Sequence, residues 1–457
     1  MNRSLEPSYP EAIAQPQGEA GMRSTANPAG LRSRQTVTIL LLFAGYAAYY
    51  FCRADLSVST PLLVEELHGR GLSSNDAVIR IGAMSSFGVL AYALGKLFLG
   101  GLGDLWGGRR SFLIGLGGAA GFTVLFAASG MVPIFTLAWI GNRLTQSIGW
   151  AGAVKVCSKW YDFSSYGTII GILSLSYLIG DAAARQLMGM LIEHGFGWRA
   201  LFYFAAGVAG CLFIANALFL RESRLDAGYQ EAVVNPLNLF AEKDSRPVSL
   251  AAILKPLLLS RAFVVVCVLS LGCTVVRETF NTWTPVYLHS YVGYSTGRAA
   301  SLSAIFPAVG AVSVIVTGWI SDRLGANSRS LVMLVGLSAT AVALSVLTAA
   351  PAGAAAAAMP LVLIGVIAFC LLGPYSYLGG AFALDFGGKQ AGAASSGIID
   401  GVGYLGGVLA GDSVARVSVA FGWHGVFVAL AAISALSAAA AGYLYIHQAR
   451  RLAGGKA

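Results

Sequence analysis

Charge is what this chain has least of. Only 11% of its 457 residues are Asp, Glu, Lys or Arg, 56% are hydrophobic, and mean hydropathy is +0.70. A soluble domain carries about 25% charged residues, so this composition excludes a water-facing fold and reads as a membrane protein. Metal and redox patterns are also missing. The six cysteines (52, 157, 211, 267, 273 and 370) form no CxxC pair, and the five histidines fall in no ligand spacing. The thiols therefore read as packing residues, and no metal or other cofactor is implied. No enzyme motif is present. Residues 1–35 lack the apolar stretch of a signal peptide, and their Pro, Gly and Ser content reads as a disordered tail.

What is abundant is the long apolar run. A bilayer-crossing helix needs about 20 such residues. Twelve candidate spans fall at roughly 36–58, 80–101, 111–130, 133–155, 166–191, 198–220, 262–292, 298–320, 329–349, 359–383, 391–416 and 423–446. The predicted fold is thus an all-α membrane protein: tail 1–35, a six-span half 36–220, a polar linker 221–261, a second half 262–446 and a tail 447–457. The net charge of +9 follows topology and gives no reason to invoke nucleic acid. Of 30 Lys and Arg, 20 fall on the side of both termini, 5 on the opposite side and 5 within spans. That excess predicts cytoplasmic termini.

The two halves repeat each other. GGLGDLWGGRR after span 2 is echoed by GWISDRLG after span 8, so that Gly100 and Asp104 match Gly318 and Asp322. FGWRALF at 196 and FGWHGVF at 421 lie 225 residues apart, and GILSLSYLIG and GIIDGVGYLG align at an offset of 226. Two six-span repeats joined by a cytoplasmic linker match the plan of the major facilitator superfamily, in which substrate binds at the midplane between the halves. The G-x-x-x-D-x-x-G-x-R-R loop resembles that superfamily's loop motif. The resemblance implies a gating role for Asp104, Arg109, Arg110, Asp322, Arg323 and Arg329.

The few charges inside spans carry the functional reading. Arg53 and Arg277 lie 224 residues apart, each followed eight residues later by a proline, Pro61 and Pro285. An arginine at the centre of a membrane helix costs about 2.5–3.5 kcal/mol on insertion scales, so such residues are kept for a task. Two at equivalent positions predict one anion site built twice. A guanidinium offers a planar fork of donors that suits phosphate. Tyr46, Tyr50 and Arg53 follow i, i+4, i+7 spacing and share one face. Glu278, next to Arg277, points away by about 100° and is expected to be a poor partner. Lys96, near the end of span 2, either snorkels to the surface or touches substrate. Asp181 and Arg185, at i, i+4, are expected to neutralise each other. Two readings stand for Arg143: pairing with Asp181 across the bundle, or extending the anion site. Asp400 either counters an arginine or binds a proton.

Five strings in order, YAAYYFCR, AYALGKLFLG with GDLWGGRR, QSIGWAGAVKVCSKW with GTIIGIL, RETFNTWTPVYL, and ALDFGGKQAGAASSGIIDGVGYLGG, resemble the organophosphate:phosphate antiporters. The resemblance runs from about residue 40 to 445. It implies that Arg53 and Arg277 clamp a phosphate on the pseudo-twofold axis, that Tyr46, Tyr50, Lys96 and Gln146 line the cavity, and that Lys155 stands nearby. The chain also departs from that family. Tyr177 replaces a binding histidine, Ala151 and Gly152 replace paired prolines, and Arg143 and Asp181 stand where glycines are usual. Ala54 stands where a lysine can follow the arginine. Arg143 is therefore expected to serve a second acidic group, such as a substrate carboxylate. The expected function is exchange of an organic phosphate (sugar phosphate, glycerol phosphate or phosphonate) for inorganic phosphate by a monomer in the bilayer, the inner membrane if the cell is bacterial. The alternatives are a transporter-like sugar-phosphate sensor, or a carrier of another organic anion with proton coupling through Asp400.

Overall fold

A computed structural model describes residues 28–99, 106–162, 165–232, 255, 257–324, 328–353 and 358–454. Regular structure among them is helical. In the first half, α1 is Pro28–Gly69, α2 Ser74–Leu99 and α3 Gly108–Ala128. Span 4 is split into α4 (Val132–Gln146) and α5 (Gly149–Trp160). Ser147 lies at the break, where its hydroxyl donates to Leu144 O at 2.6 Å, the back-bonding by which serine competes with the helix ladder. Tyr166–Glu193 (α6) and Trp198–Phe219 (α7) complete this half.

The second half holds α8 (Arg261–Ser290), α9 (Thr296–Ser303), α10 (Ile305–Leu324), α11 (Ser328–Thr348) and α12 (Ala358–Tyr375). A π-helical turn at Leu378–Phe382 leads into α13 (Ala383–Gly454), which contains spans 11 and 12. A straight helix of its 72 residues would run about 108 Å, several times the roughly 30 Å hydrocarbon core. The left-handed backbone of Gly422 (φ 67°) interrupts it inside the FGW motif.

The element bounds differ from the sequence reading at three places. Residues 28–35, inside the stretch read as a disordered tail, are already helical. Helix continues to Gly454, past 446. By length and composition, nine helices among the described residues are able to cross a membrane, where twelve spans were expected. Span 4 is divided, span 5 is diluted by Asp181 and Arg185, and spans 11 and 12 are continuous.

Each half has its own core. Tyr49, Phe112, Leu116 and Trp160 pack in the first, beside a cluster of Phe126, Phe135, Trp198 and Phe202. Phe263, Trp283, Tyr287, Phe306 and Phe427 pack in the second. The outer surface is also apolar: Leu218, Val335 and Leu436 are 63%, 61% and 73% exposed. A surface of that kind is stable against lipid, not water.

Candidate functional site

The site begins with a kink. Cys52 leaves helical geometry (φ −80°, ψ 17°) one residue before Arg53. Gln146, the last residue of α4, donates from Nε2 to the Cys52 carbonyl at 3.2 Å and to Asn142 Oδ1 at 2.6 Å. Its Oε1 accepts from Arg53 Nε at 2.6 Å. One amide thus satisfies the kinked backbone and aims the guanidinium. Arg53 Nη1 also donates to the Tyr50 hydroxyl at 3.2 Å. The guanidinium sits 4.6 Å from the Tyr50 ring centroid and 4.4 Å from that of Tyr92, within cation–π range.

Arg277 approaches from α8, its guanidinium 4.7 Å from the Tyr375 ring centroid. Its Nη2 is 2.6 Å from Glu278 Oε1, which corrects the expectation that Glu278 is a poor partner. Adjacent helical residues diverge, but both side chains are long, and neither charge can face lipid without heavy cost. Both therefore turn into the same polar space.

That space is a cavity between the halves. It is lined by Arg53, Arg143, Arg185 and Arg277, by Asp181 and Glu278, and by Tyr50, Ser57, Trp139 and Asn281 among others. About 60 Å³ is open to the centres of water-sized molecules, against roughly 10–15 Å³ for a single water. Four guanidinium groups face two carboxylates there, an excess of two positive charges. Asp55 is fully buried outside this lining, with Oδ2 unpartnered.

On the side of the cavity away from the termini the two halves touch. Ser57 Oγ lies 2.8 Å from the Asn281 carbonyl and 2.7 Å from that of Thr282. Ser57 and Asn281 are themselves 224 residues apart, the same offset as the arginines one turn before them. Arg185 spans the same seam, with Asp181 at 3.1 Å, Ser303 Oγ at 3.2 Å and the Asn281 carbonyl at 2.6 Å. Ser86 Oγ donates to Val408 O at 2.6 Å, joining α2 to α13. At Gly82 a Cβ would lie 2.9 Å from Gly411 O, so the two backbones meet closely there.

The other sequence candidates fall around this centre. Tyr177 packs at a tilt against Tyr50 with centroids 5.6 Å apart, and Tyr46 packs against Trp150 at 5.0 Å. Neither lines the cavity. Lys96 lies 3.7 Å from Asp400, so the acid's partner is a lysine, not an arginine. Arg143 does not meet Asp181, which is held by Arg185. Its guanidinium lies 5.2 Å from the Tyr92 centroid and 5.8 Å from that of Trp139, with Nε unpartnered.

Of the gating candidates, Asp104 lies outside the described residues, and of Asp322 only the backbone, within α10, is described. Arg110 is exposed. Arg323 packs 4.0 Å from the Trp319 ring centroid, and the Arg109 side chain bonds the Ala217 carbonyl. These described contacts stay within single halves.

Two important residues, Tyr92 and Glu222, are missing from the sequence reading, and a third, Glu278, is misjudged in it. Tyr92 is touched by Arg53, Arg143 and Lys96 together. Its i, i+4 spacing to Lys96 was the available signal. Glu278 was visible but dismissed on helical angle. Glu222 caps α3, accepting from the N–H groups of Gly108 at 2.8 Å and Arg109 at 2.7 Å, and pairs with Lys159 at 2.7 Å. Burial pushes its carboxyl up, but the bonds from Lys159, Arg109 and Gly108 outweigh that and hold it below its usual value of 4.5.

A two-half helical bundle around a central charged cavity defines a membrane transporter. The chain belongs to the Major Facilitator Superfamily, whose profile matches residues 40–411. The probable hexose phosphate transport protein of Chlamydia muridarum is 27% identical over 420 residues, 87% of this chain and 88% of that one. The glycerol-3-phosphate transporter of Bacillus subtilis is 25% identical, covering 85% and 87%. The membrane sensor protein UhpC of Escherichia coli is 25% identical, covering 88% and 90%. By name, the first two relatives are transporters of phosphorylated substrates and the third is a membrane sensor. The fold also matches the crystal structure of a D-xylose-proton symporter with TM-score 0.68 at 14% identity, covering 90% of this chain and 97% of that one.

Proposed function

We propose that this carrier exchanges an organic phosphate for inorganic phosphate by alternating access, with both termini in the cytoplasm. The observation that carries the reading is that Arg53 and Arg277 face one cavity in which guanidinium groups outnumber carboxylates four to two. A phosphoryl dianion brings the two negative charges that this cavity lacks. Tyr50 and Gln146 aim Arg53 at the anion, and Tyr375 supports Arg277.

Exchange follows from the same charges. With the cavity empty, the charge that no carboxylate offsets, on Arg53 and Arg143, lies in the first half, and among the described residues nothing joins these guanidinium groups to Arg277. A bound phosphoryl group bridges them and favours the occluded state, so reorientation requires cargo. The seam at Ser57, Asn281 and Arg185 opens in the other half of the cycle.

The test is reconstitution into liposomes loaded with labelled phosphate. External glycerol 3-phosphate or glucose 6-phosphate is expected to release the label, and Arg53→Lys or Arg277→Lys to abolish release. No exchange with any phosphate ester or phosphonate would overturn the reading. Ligand binding without flux would favour a sensor.

A further inference from the structure

The exchange cycle leaves two cavity charges without a role, Glu278 and Arg143. Glu278 is held on Arg277 at 2.6 Å, occupying the guanidinium that the phosphate is to take. Arg143 is 6% exposed and has no ion-pair partner among the described residues, and its Nε is unpartnered. Glu278 Cγ and Val89 Cγ1 each lie 3.2 Å from the point where a Cβ on Gly407 would sit. Arg143 Cγ lies 3.0 Å from the equivalent point on Gly88, the residue before Val89. The Glu278 and Arg143 stems thus lie near neighbouring positions of α2, and both residues line the same cavity.

We propose that Glu278 is a resident counter-anion that leaves Arg277 for Arg143 when the phosphoryl group binds. This rests on the phosphate-exchange reading of the site. In the empty carrier Glu278 neutralises Arg277. In the loaded carrier phosphate takes Arg53 and Arg277, and Glu278 keeps a partner in Arg143, so its carboxylate is not left buried and bare. The charge count then selects the cargo. A dianion balances the excess of two positive charges; a phosphorylated carboxylic acid, with three negative charges, overfills it. The substrate class is a phosphate monoester or phosphonate whose organic part is uncharged. Arg143 consequently serves the protein's own carboxylate, which replaces the expectation that it receives a carboxylate from the substrate.

The experiment measures labelled-phosphate binding to the purified protein, and liposome exchange with glycerol 3-phosphate against 3-phosphoglycerate, which differ by a carboxylate. Glu278→Gln is expected to tighten phosphate binding about tenfold and to raise the 3-phosphoglycerate to glycerol-3-phosphate ratio by a similar factor. Arg143→Gln is expected to weaken phosphate binding about tenfold, because the displaced carboxylate has nowhere to go. Arg143→Gln combined with Glu278→Gln recovers binding beyond the product of the single effects. Glu278→Gln binding phosphate no tighter than wild type, or strict additivity in the double variant, overturns the proposal. If Arg143→Gln does not fold, the Glu278→Gln substrate ratio decides alone, an unchanged ratio counting against. If the wild type exchanges no phosphate, the functional reading fails and this inference with it. If it exchanges normally and the variants behave as wild type, only the counter-anion role fails.

Discussion

Gln146 offers a sharp test of how the site is aimed. Its amide bonds three groups: Arg53 Nε at 2.6 Å, the Cys52 carbonyl at 3.2 Å and Asn142 Oδ1 at 2.6 Å. Gln146→Leu removes the bond to the guanidinium, and bonds to charged groups contribute about 1.5–3 kcal/mol. Arg53 then loses its fixed direction, and phosphate affinity should fall roughly 10- to 100-fold, at 1.4 kcal/mol per tenfold. The freed Cys52 carbonyl adds a stability cost of about 1–3 kcal/mol if it stays buried and unpaired. Gln146→Glu keeps the size but places a carboxylate against Arg53. That carboxylate competes with phosphate, and its second oxygen meets two acceptors where an NH₂ stood. Its affinity loss should exceed that of leucine. The assay is labelled-phosphate binding to purified protein, with thermal unfolding read in parallel. Wild-type affinity in both variants, or a glutamate variant that binds better than the leucine one, would refute the argument that Gln146 aims the anion site.

Other perturbations probe the seam and the cap. Arg185→Gln leaves Asp181 buried without its partner, and breaking such a pair costs about 3–5 kcal/mol. Thermal unfolding should drop clearly, and addition of Asp181→Asn should restore part of the loss; no recovery would argue against the pair. Gly82→Ala places a Cβ 2.6 Å from Ala415 Cβ, pushing α2 from α13. Maleimide labelling of a cysteine placed at Ser86 should rise from the side away from the termini, and unchanged labelling would count against a seal there. Glu222 has a depressed carboxyl pKa in the folded state. Its contribution is therefore present above its unfolded value and lost as pH falls through the folded one. Glu222→Gln should lower stability at neutral pH and flatten the acid side of the pH–stability curve, with the gap closing on acidification; a gap constant with pH would contradict the assignment.

The architecture was legible because its signals are long. A span needs about 20 apolar residues, and a repeat of 224 to 226 residues is marked by several motifs at once. Arg53 and Arg277 stood out because charge in lipid is costly. What was not legible depended on side-chain reach and on tertiary neighbours. Glu278 was rejected on backbone angle alone, yet a long carboxylate beside a long guanidinium bends round the helix when the only polar space is shared. Tyr92 looked like one aromatic among many; its weight comes from three cations that arrive from α1, α2 and α4. The break at Ser147 and Ile148 divides one apolar run with no proline at the break, so periodicity could not reveal it.

The placement of Ser57 links the site to the movement of the halves. A pseudo-twofold arrangement brings equivalent residues together, and Ser57 meets Asn281 at an offset of 224, with Thr282 beside it. Each lies four residues, one helical turn, beyond its arginine. The Ser57–Asn281 contact and the proposed anion clamp are therefore successive turns of the same two helices, α1 and α8. Neither helix can swing to part Ser57 from Asn281 without changing the separation of Arg53 and Arg277. An anion that sets that separation acts directly on that contact, so coupling between cargo and opening needs no relay through the rest of the bundle. The kink at Cys52 and the helix-internal prolines Pro61 and Pro285 give the same helices points at which to bend.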